Sequence, residues 1–328
     1  MKKALFGLVL ACLVLPLFSD DALVMPSHVI RTYFVGNYAM ISKSFDDDGK
    51  KKDTSDVKAL NLGVAVEYGF NDWVSGAAQW VPGYNVYSKL DSADKGNLGD
   101  PADLFVGAKV QIVGPKAPVQ NDVFRFALAP GLKIPISHPD WDEEAADYSG
   151  GKDFLAQSSD LHVFGFGSRA FFDYVVSEEV FLNLYSQILY FPGKQKAKDS
   201  SLANNLAVAG VKAALDPSYD PSLQYGYDLT LEFEPHYNKM IADGLEFEAG
   251  LPITYNTAPA VKVSDDPYGK ITADDAKYSL SVGPNVSLFF QKAFIPLELE
   301  LGYTLPILGR NTSAANVLLL ELKAYAKL

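Results

Sequence analysis

Beyond its N-terminal apolar run the chain has no cysteine: the single thiol, Cys12, lies inside that run. Disulfide staples and thiolate metal sites are therefore excluded from the remainder. Histidine is almost as scarce. His28, His138, His162 and His236 are the only four. None is spaced with a nucleophile or a second ligand in a recognisable constellation, so no catalytic residue, metal site or cofactor is expected. Basic residues are outnumbered, 28 against 40 acidic ones, and a formal charge of −12 argues against nucleic acid as a partner. After Phe18 no run of eighteen apolar residues occurs, which excludes a transmembrane helix. The acidic stretches "FDDDGKKKD" and "DDPYGKITADD" lack the ordered ligand positions of a calcium loop and read as solvated loops.

What is present begins with "MKKALFGLVLACLVLPLFSDDA": two lysines, an apolar stretch from Ala4 to Phe18, then small and acidic residues. This is the pattern of a secretory signal peptide. Residues 1–19 are assigned to it, with cleavage after Ser19, and residues 20–328 to a single domain. "LVLAC" resembles a lipoprotein box, but Leu10 stands where a small residue is usual, and Cys12 reads as an ordinary member of the apolar region. Loss of Lys2 and Lys3 moves the formal charge from −12 to −14. An exported chain of this size without disulfides needs another source of stability, and a sheet closed on itself in a membrane is one.

The rest of the sequence alternates with a period of two. In "YGYDLTLEFEPHY", Tyr225, Tyr227, Leu229, Leu231 and Phe233 alternate with Gly226, Asp228, Thr230, Glu232 and Glu234; "IPLELELGYTL" behaves likewise. Twelve such strands are predicted, near 28–42, 57–70, 73–87, 102–113, 122–136, 160–175, 179–191, 222–237, 244–256, 277–291, 295–307 and 316–328. Links after odd strands are long and polar, such as "SFDDDGKKKDTSD". Those after even strands are short, such as "FNDW" and "VSEEV". The expected fold is all-β: a transmembrane antiparallel β-barrel of about twelve strands with short periplasmic turns and long extracellular loops.

Five prolines, Pro82, Pro135, Pro192, Pro252 and Pro306, recur along the odd strands. Because proline cannot donate to a ladder, each is expected where an outward-running strand leaves the membrane. Pro130, Pro235 and Pro284 do not fit that rule. Glycines such as Gly107, Gly131, Gly165 and Gly250 fall on the polar face of the strands. On a solvated face they would only weaken a strand, whereas inside a narrow lumen they relieve crowding, which favours a barrel over a soluble sandwich. The longest link contains an alanine-rich stretch, Leu202 to Leu215, with two readings: a lid over the mouth, or two further strands making fourteen.

"EYGFNDWVSGAAQWVPGY", "LGDPADLFVGAKVQI" and "FRFALAPGLKIPI" together resemble the FadL-like outer-membrane transporters of hydrophobic compounds, especially members assigned to the MetA pathway of phenol degradation. The resemblance covers most of residues 57–136, and the later hairpins by rhythm. It implies uptake of hydrophobic or aromatic compounds, or of fatty acids. Fatty-acid transporters of that class have an N-terminal plug and fourteen strands, while here a short segment separates the signal from the first strand, which argues against a plug-dependent mechanism.

Alternation also assigns charges to the interior. Lys109, Arg125, Lys133 and Arg169 point inward from the fourth to sixth strands; Asp228, Glu232, Glu234, Glu246, Glu248, Glu298 and Glu300 point inward from the eighth, ninth and eleventh. One wall is basic and the other acidic. Either the groups pair across a filled interior, or they line a constricted pore with a transverse field. The functional expectation is an outer-membrane channel for passive or facilitated uptake of small solutes, with those eleven residues lining the lumen. Its partners would be outer-membrane lipid, the solutes and the barrel-assembly machinery during biogenesis. The alternative is a barrel acting through its external loops as an adhesin or structural protein.

Overall fold

Side chains that alternate in polarity cannot satisfy both faces of a sheet in water, but they do so when the sheet closes with apolar groups toward lipid. The computed structural model of the chain describes residues 21–90, 93–98, 102–136, 163–196, 222–264 and 272–328. The segment expected to be a signal peptide, Leu202 to Leu215, His138 and His162 lie outside the described residues. Among the described residues no helix is long and apolar enough to cross a membrane.

Twelve antiparallel strands close into one barrel. They are β1 (Val29–Phe45), β2 (Lys51–Asn71), β3 (Val74–Leu90), β4 (Leu104–Gly114), β5 (Phe124–Ile134), β6 (Gly165–Val175), β7 (Val180–Phe191) and β8 (Gly226–Ala242). Next come β9 (Leu245–Gly250 continued by Ile253–Ala258), β10 (Lys277–Val282 continued by Asn285–Phe290), β11 (Leu297–Arg310) and β12 (Asn316–Lys327). Each pairs with its sequence neighbour, and β12 returns to β1 in register from Val29 opposite Lys327 to Met40 opposite Asn316. Further strands do not enter the ring. Gln195–Lys196, Ser222–Gln224, Val261–Ser264 and Thr272–Asp274 form a separate four-stranded sheet in the long links. Beneath it, Val163, Phe191, Leu223, Tyr225 and Val261 pack together at the loop end of the barrel.

The outward face carries Phe34, Leu62, Val66, Leu184, Ile188, Leu231, Leu299, Leu301, Leu318, Leu320 and Leu322, all exposed to the barrel's surroundings. Exposed aromatic residues gather at both ends of this band. Phe70, Trp73, Phe124 and Tyr174 lie near the short turns; Phe166, Tyr190 and Tyr227 lie near the long links. An apolar belt flanked by aromatic girdles is what a lipid bilayer selects.

The prolines divide into two groups. Pro135 and Pro192 follow the last residues of β5 and β7, as expected of strand ends. Pro82 and Pro306 instead lie inside strands that run on as protruding hairpins, each beside a register shift, so the missing donor is absorbed at a bulge. Pro252 interrupts β9, and with Pro235 and Pro284 it forms a line across adjacent strands. Along that line each proline carbonyl accepts from the next strand: Leu251 N to Pro235 O at 3.2 Å, Gly283 N to Pro252 O at 2.9 Å and Tyr303 N to Pro284 O at 3.0 Å. The wall therefore stays connected there although Pro235, Pro252 and Pro284 have no N–H to donate.

Candidate functional site

The interior is built from the inward positions of the strands, and small residues there make room for large ones. A Cβ at Gly131 would collide with the ring of Phe105, and one at Gly165 would meet Phe191 at 2.9 Å. These two glycines let aromatic rings lie flat along the wall of β4 to β7.

On that wall Lys109 is buried, donates from Nζ to the carbonyl oxygen of Asp21 at 2.6 Å and sits 4.2 Å from the ring centre of Phe171. Arg169 lies 4.3 Å from the ring centre of Phe105 and donates from Nε to Gln187 at 2.7 Å and from Nη2 to Gln79 at 2.9 Å. Arg125 reaches Asp173 at 3.7 Å and Asp21 at 3.9 Å, and Lys133 stands 5.8 Å from the ring centre of Phe191. A cavity of about 50 Å³ opens between Lys109, Arg169, Phe105, Phe171 and Tyr33.

The opposite wall is held by hydrogen bonds between neighbouring strands. Glu232 accepts from Thr254 at 2.6 Å, and Glu234 from Asn285 at 3.0 Å with His236 Nε2 also 3.0 Å away. Glu246 accepts from Asn238 at 3.3 Å and Gln291 at 2.8 Å. Lys323 serves three carboxylates, Glu298 at 2.9 Å, Glu300 at 3.3 Å and Glu321 at 3.4 Å, while Tyr325 donates to Glu298 at 2.7 Å. Glu248 lies half-buried in β9 among these groups, and Asp228 occupies an inward position in β8 near its loop end.

Several interior residues were not singled out from the sequence. Arg31 and Glu67 form an ion pair at 2.5 Å, with Ser75 donating to Glu67 at 2.6 Å. Asp173, Glu321, Lys323 and Tyr325 belong to the same interior. Extending the period-two rule to β1, β2 and β12 would have found most of them. The segment before β1 is the larger surprise. Rather than trailing from the barrel, it enters it: Ala22 is fully buried and its N–H donates to Asp173 at 2.9 Å. A few residues before β1 thus lie against the inner wall, and nothing in their composition announces it.

At the opposite extreme the tip of the β1–β2 hairpin is solvated. The Asp46, Asp47 and Asp48 carboxylates lie close together there, but those of Asp46 are taken by Lys52 Nζ at 2.6 Å and by the N–H groups of Lys50 and Asp48.

This geometry has solved counterparts. The COG4313 outer membrane channel from Pseudomonas putida F1 superposes with a TM-score of 0.64 at 12% identity, over 94% of this chain and 99% of that one. The fold is that of an outer-membrane barrel. A TodX deltaS2S3 mutant monoaromatic hydrocarbon channel matches at a TM-score of 0.44 and 9% identity, over 93% of this chain and 91% of that one. A Pseudomonas aeruginosa FadL homologue matches at 0.36 and 10%, over 91% and 90%. Both are too distant to carry an argument about this chain. No protein-family model matches the sequence, and no curated protein matches it.

Proposed function

We propose that the protein is an outer-membrane channel through which small solutes pass passively or by facilitated diffusion. The observation that supports this best is the interior: a twelve-stranded wall with charged groups on its inward face and a cavity left among two of the cations. A barrel serving only as a platform for external loops would be at least as stable with those charges replaced by packed apolar side chains. The rings of Phe105 and Phe171 beside the cations favour apolar or aromatic solutes over sugars. In this reading residues 1–19 are removed after export, the barrel-assembly machinery inserts residues 20–328, and outer-membrane lipid covers the apolar belt. Neither a catalytic residue nor a cofactor is part of it.

Liposome swelling with purified protein tests the proposal. Swelling that falls with solute size is expected. Vesicles that hold folded barrel and fail to swell with every solute tried would favour the adhesin or structural role instead.

A further inference from the structure

We infer that the cavity between Lys109 and Arg169 is a binding site for the carboxylate of a small aromatic acid. The inference deepens the channel reading and rests on it for the route by which a solute reaches the site.

Three observations carry it. First, the two cations are charge-uncompensated at close range. Among the described residues, Lys109 bonds only to a backbone carbonyl and Arg169 only to two glutamine amide oxygens. Lys109 is buried and Arg169 half-buried, and cations so placed with neutral acceptors alone leave an electrostatic demand that an anion meets. The one acidic group on the cavity wall, Glu67, is engaged elsewhere, by Arg31 at 2.5 Å, Ser75 at 2.6 Å and Tyr33 at 3.3 Å.

Second, the position of an acceptor is already marked. The Asp21 carbonyl oxygen sits 2.6 Å from Lys109 Nζ, on the short segment that enters the barrel rather than on a strand. Lys109 Nζ keeps two further N–H donors for a ligand carboxylate oxygen, with the second oxygen toward Arg169, whose Nη1 has no protein acceptor among the described residues. The carboxylate enters between the two cations, and the ligand's ring lies against the wall beside them.

Third, the surroundings choose that body. Each cation is backed by a ring, Lys109 by Phe171 and Arg169 by Phe105, and Tyr33 faces the same space. Gly107 and Ala129 keep the floor low: a Cβ at Gly107 would meet the Pro130 carbonyl at 2.8 Å. A flat ring is accommodated by offset or edge contacts with these phenyl groups, whereas a hydrated sugar would lose hydrogen bonds there.

Equilibrium dialysis of labelled benzoate against the purified full-length barrel in detergent micelles tests the site, with benzyl alcohol as the uncharged isostere. Saturable benzoate binding is expected, about tenfold or more tighter than benzyl alcohol, and weakened about tenfold by Arg169→Gln or Lys109→Gln. Failure of benzoate to saturate overturns the inference, as does equal binding of benzyl alcohol. So does unchanged affinity in a variant whose unheated gel mobility shows a folded barrel. Where a variant does not fold, the benzoate and benzyl alcohol comparison on the natural chain decides alone. Swelling separates this from the channel reading: a conducting barrel that ignores benzoate refutes the site only, and a benzoate-binding barrel that never conducts refutes the channel only.

Discussion

The basic wall of β4 to β6 and the acidic wall of β8 to β12 carry comparable densities of charge, yet they are built on opposite plans. Carboxylates on the acidic wall are tied across strands by Thr254, Asn285, Asn238, Gln291, Tyr325 and the shared Lys323. On the basic wall Arg125 faces the Asp173 and Asp21 carboxylates, but Lys109 and Arg169 lean on aromatic rings, a main-chain carbonyl and neutral amides and border a cavity. The difference teaches that the sign of a wall says less about its role than what satisfies it. Groups bound to neighbouring strands brace the barrel. Groups bound to rings and main chain stay available to a solute.

Removing one cation from each wall should break or sharpen this contrast most. Lys323→Met removes the cation that Glu298, Glu300 and Glu321 share and is expected to cost about 3–5 kcal/mol, the usual range for breaking a buried ion pair. Lys109→Met, which strands only a carbonyl, should cost about 1 kcal/mol or less. Urea unfolding of the barrel in lipid vesicles measures both, and equal losses would erase the distinction. Packing provides the next effect. Gly131→Ala drives a methyl group into Phe105 and should destabilise by roughly 1–3 kcal/mol, with distortion of the Arg169 contact.

Selectivity should respond more modestly. Replacing Glu232, Glu246 and Glu298 by Gln keeps most hydrogen-bonding shape while removing negative charge, so the reversal potential in a salt gradient should move toward anions. A change in permeability ratio of roughly twofold is expected, shrinking at high salt because screening at about 0.1 M already acts over about 10 Å. No shift in a folded triple variant would mean that the acidic wall does not face the conducting path.

The smallest effect belongs to the solvated hairpin tip, which serves as the control. Lys52, and then the Lys50 N–H, hold the Asp46 carboxyl below its ordinary value of 3.8. A carboxyl lowered by folding contributes order that is present above its unfolded value and is lost as pH falls through the lowered one. Hydrogen exchange at the Lys50 amide should therefore stay slow through pH 4 and quicken below it. Asp46→Asn should abolish that dependence while leaving barrel stability unchanged.

Much of this was legible in the chain. The twelve strands follow from the period-two alternation because the lipid side accepts only apolar groups, so one misplaced residue would flip a whole face. The same rule placed Lys109 and Arg169 on one wall and Glu298 and Glu300 on another. What alternation does not encode is partnership. That Lys323 reaches Glu298 and Glu300 depends on the register of β11 against β12, which a periodic pattern leaves free to slide. The small sheet at the mouth was invisible because its strands, such as Gln195–Lys196, are too short to show a period. The strands continue past Pro82 and Pro306, which alternation leaves open because a bulge inside a strand and the end of a strand tolerate proline equally well.

The seam between β12 and β1 sets the order of events in biogenesis. Val29 meets Lys327 and Met40 meets Asn316, so the two edges that complete the cylinder come from opposite ends of the polypeptide. Without β12 that edge of β1 has nothing to pair with, so a sheet of the first eleven strands leaves two open borders and the cylinder closes only when β12 is in place. Truncation by even a few C-terminal residues should therefore act on the yield of barrels rather than on the properties of those that form.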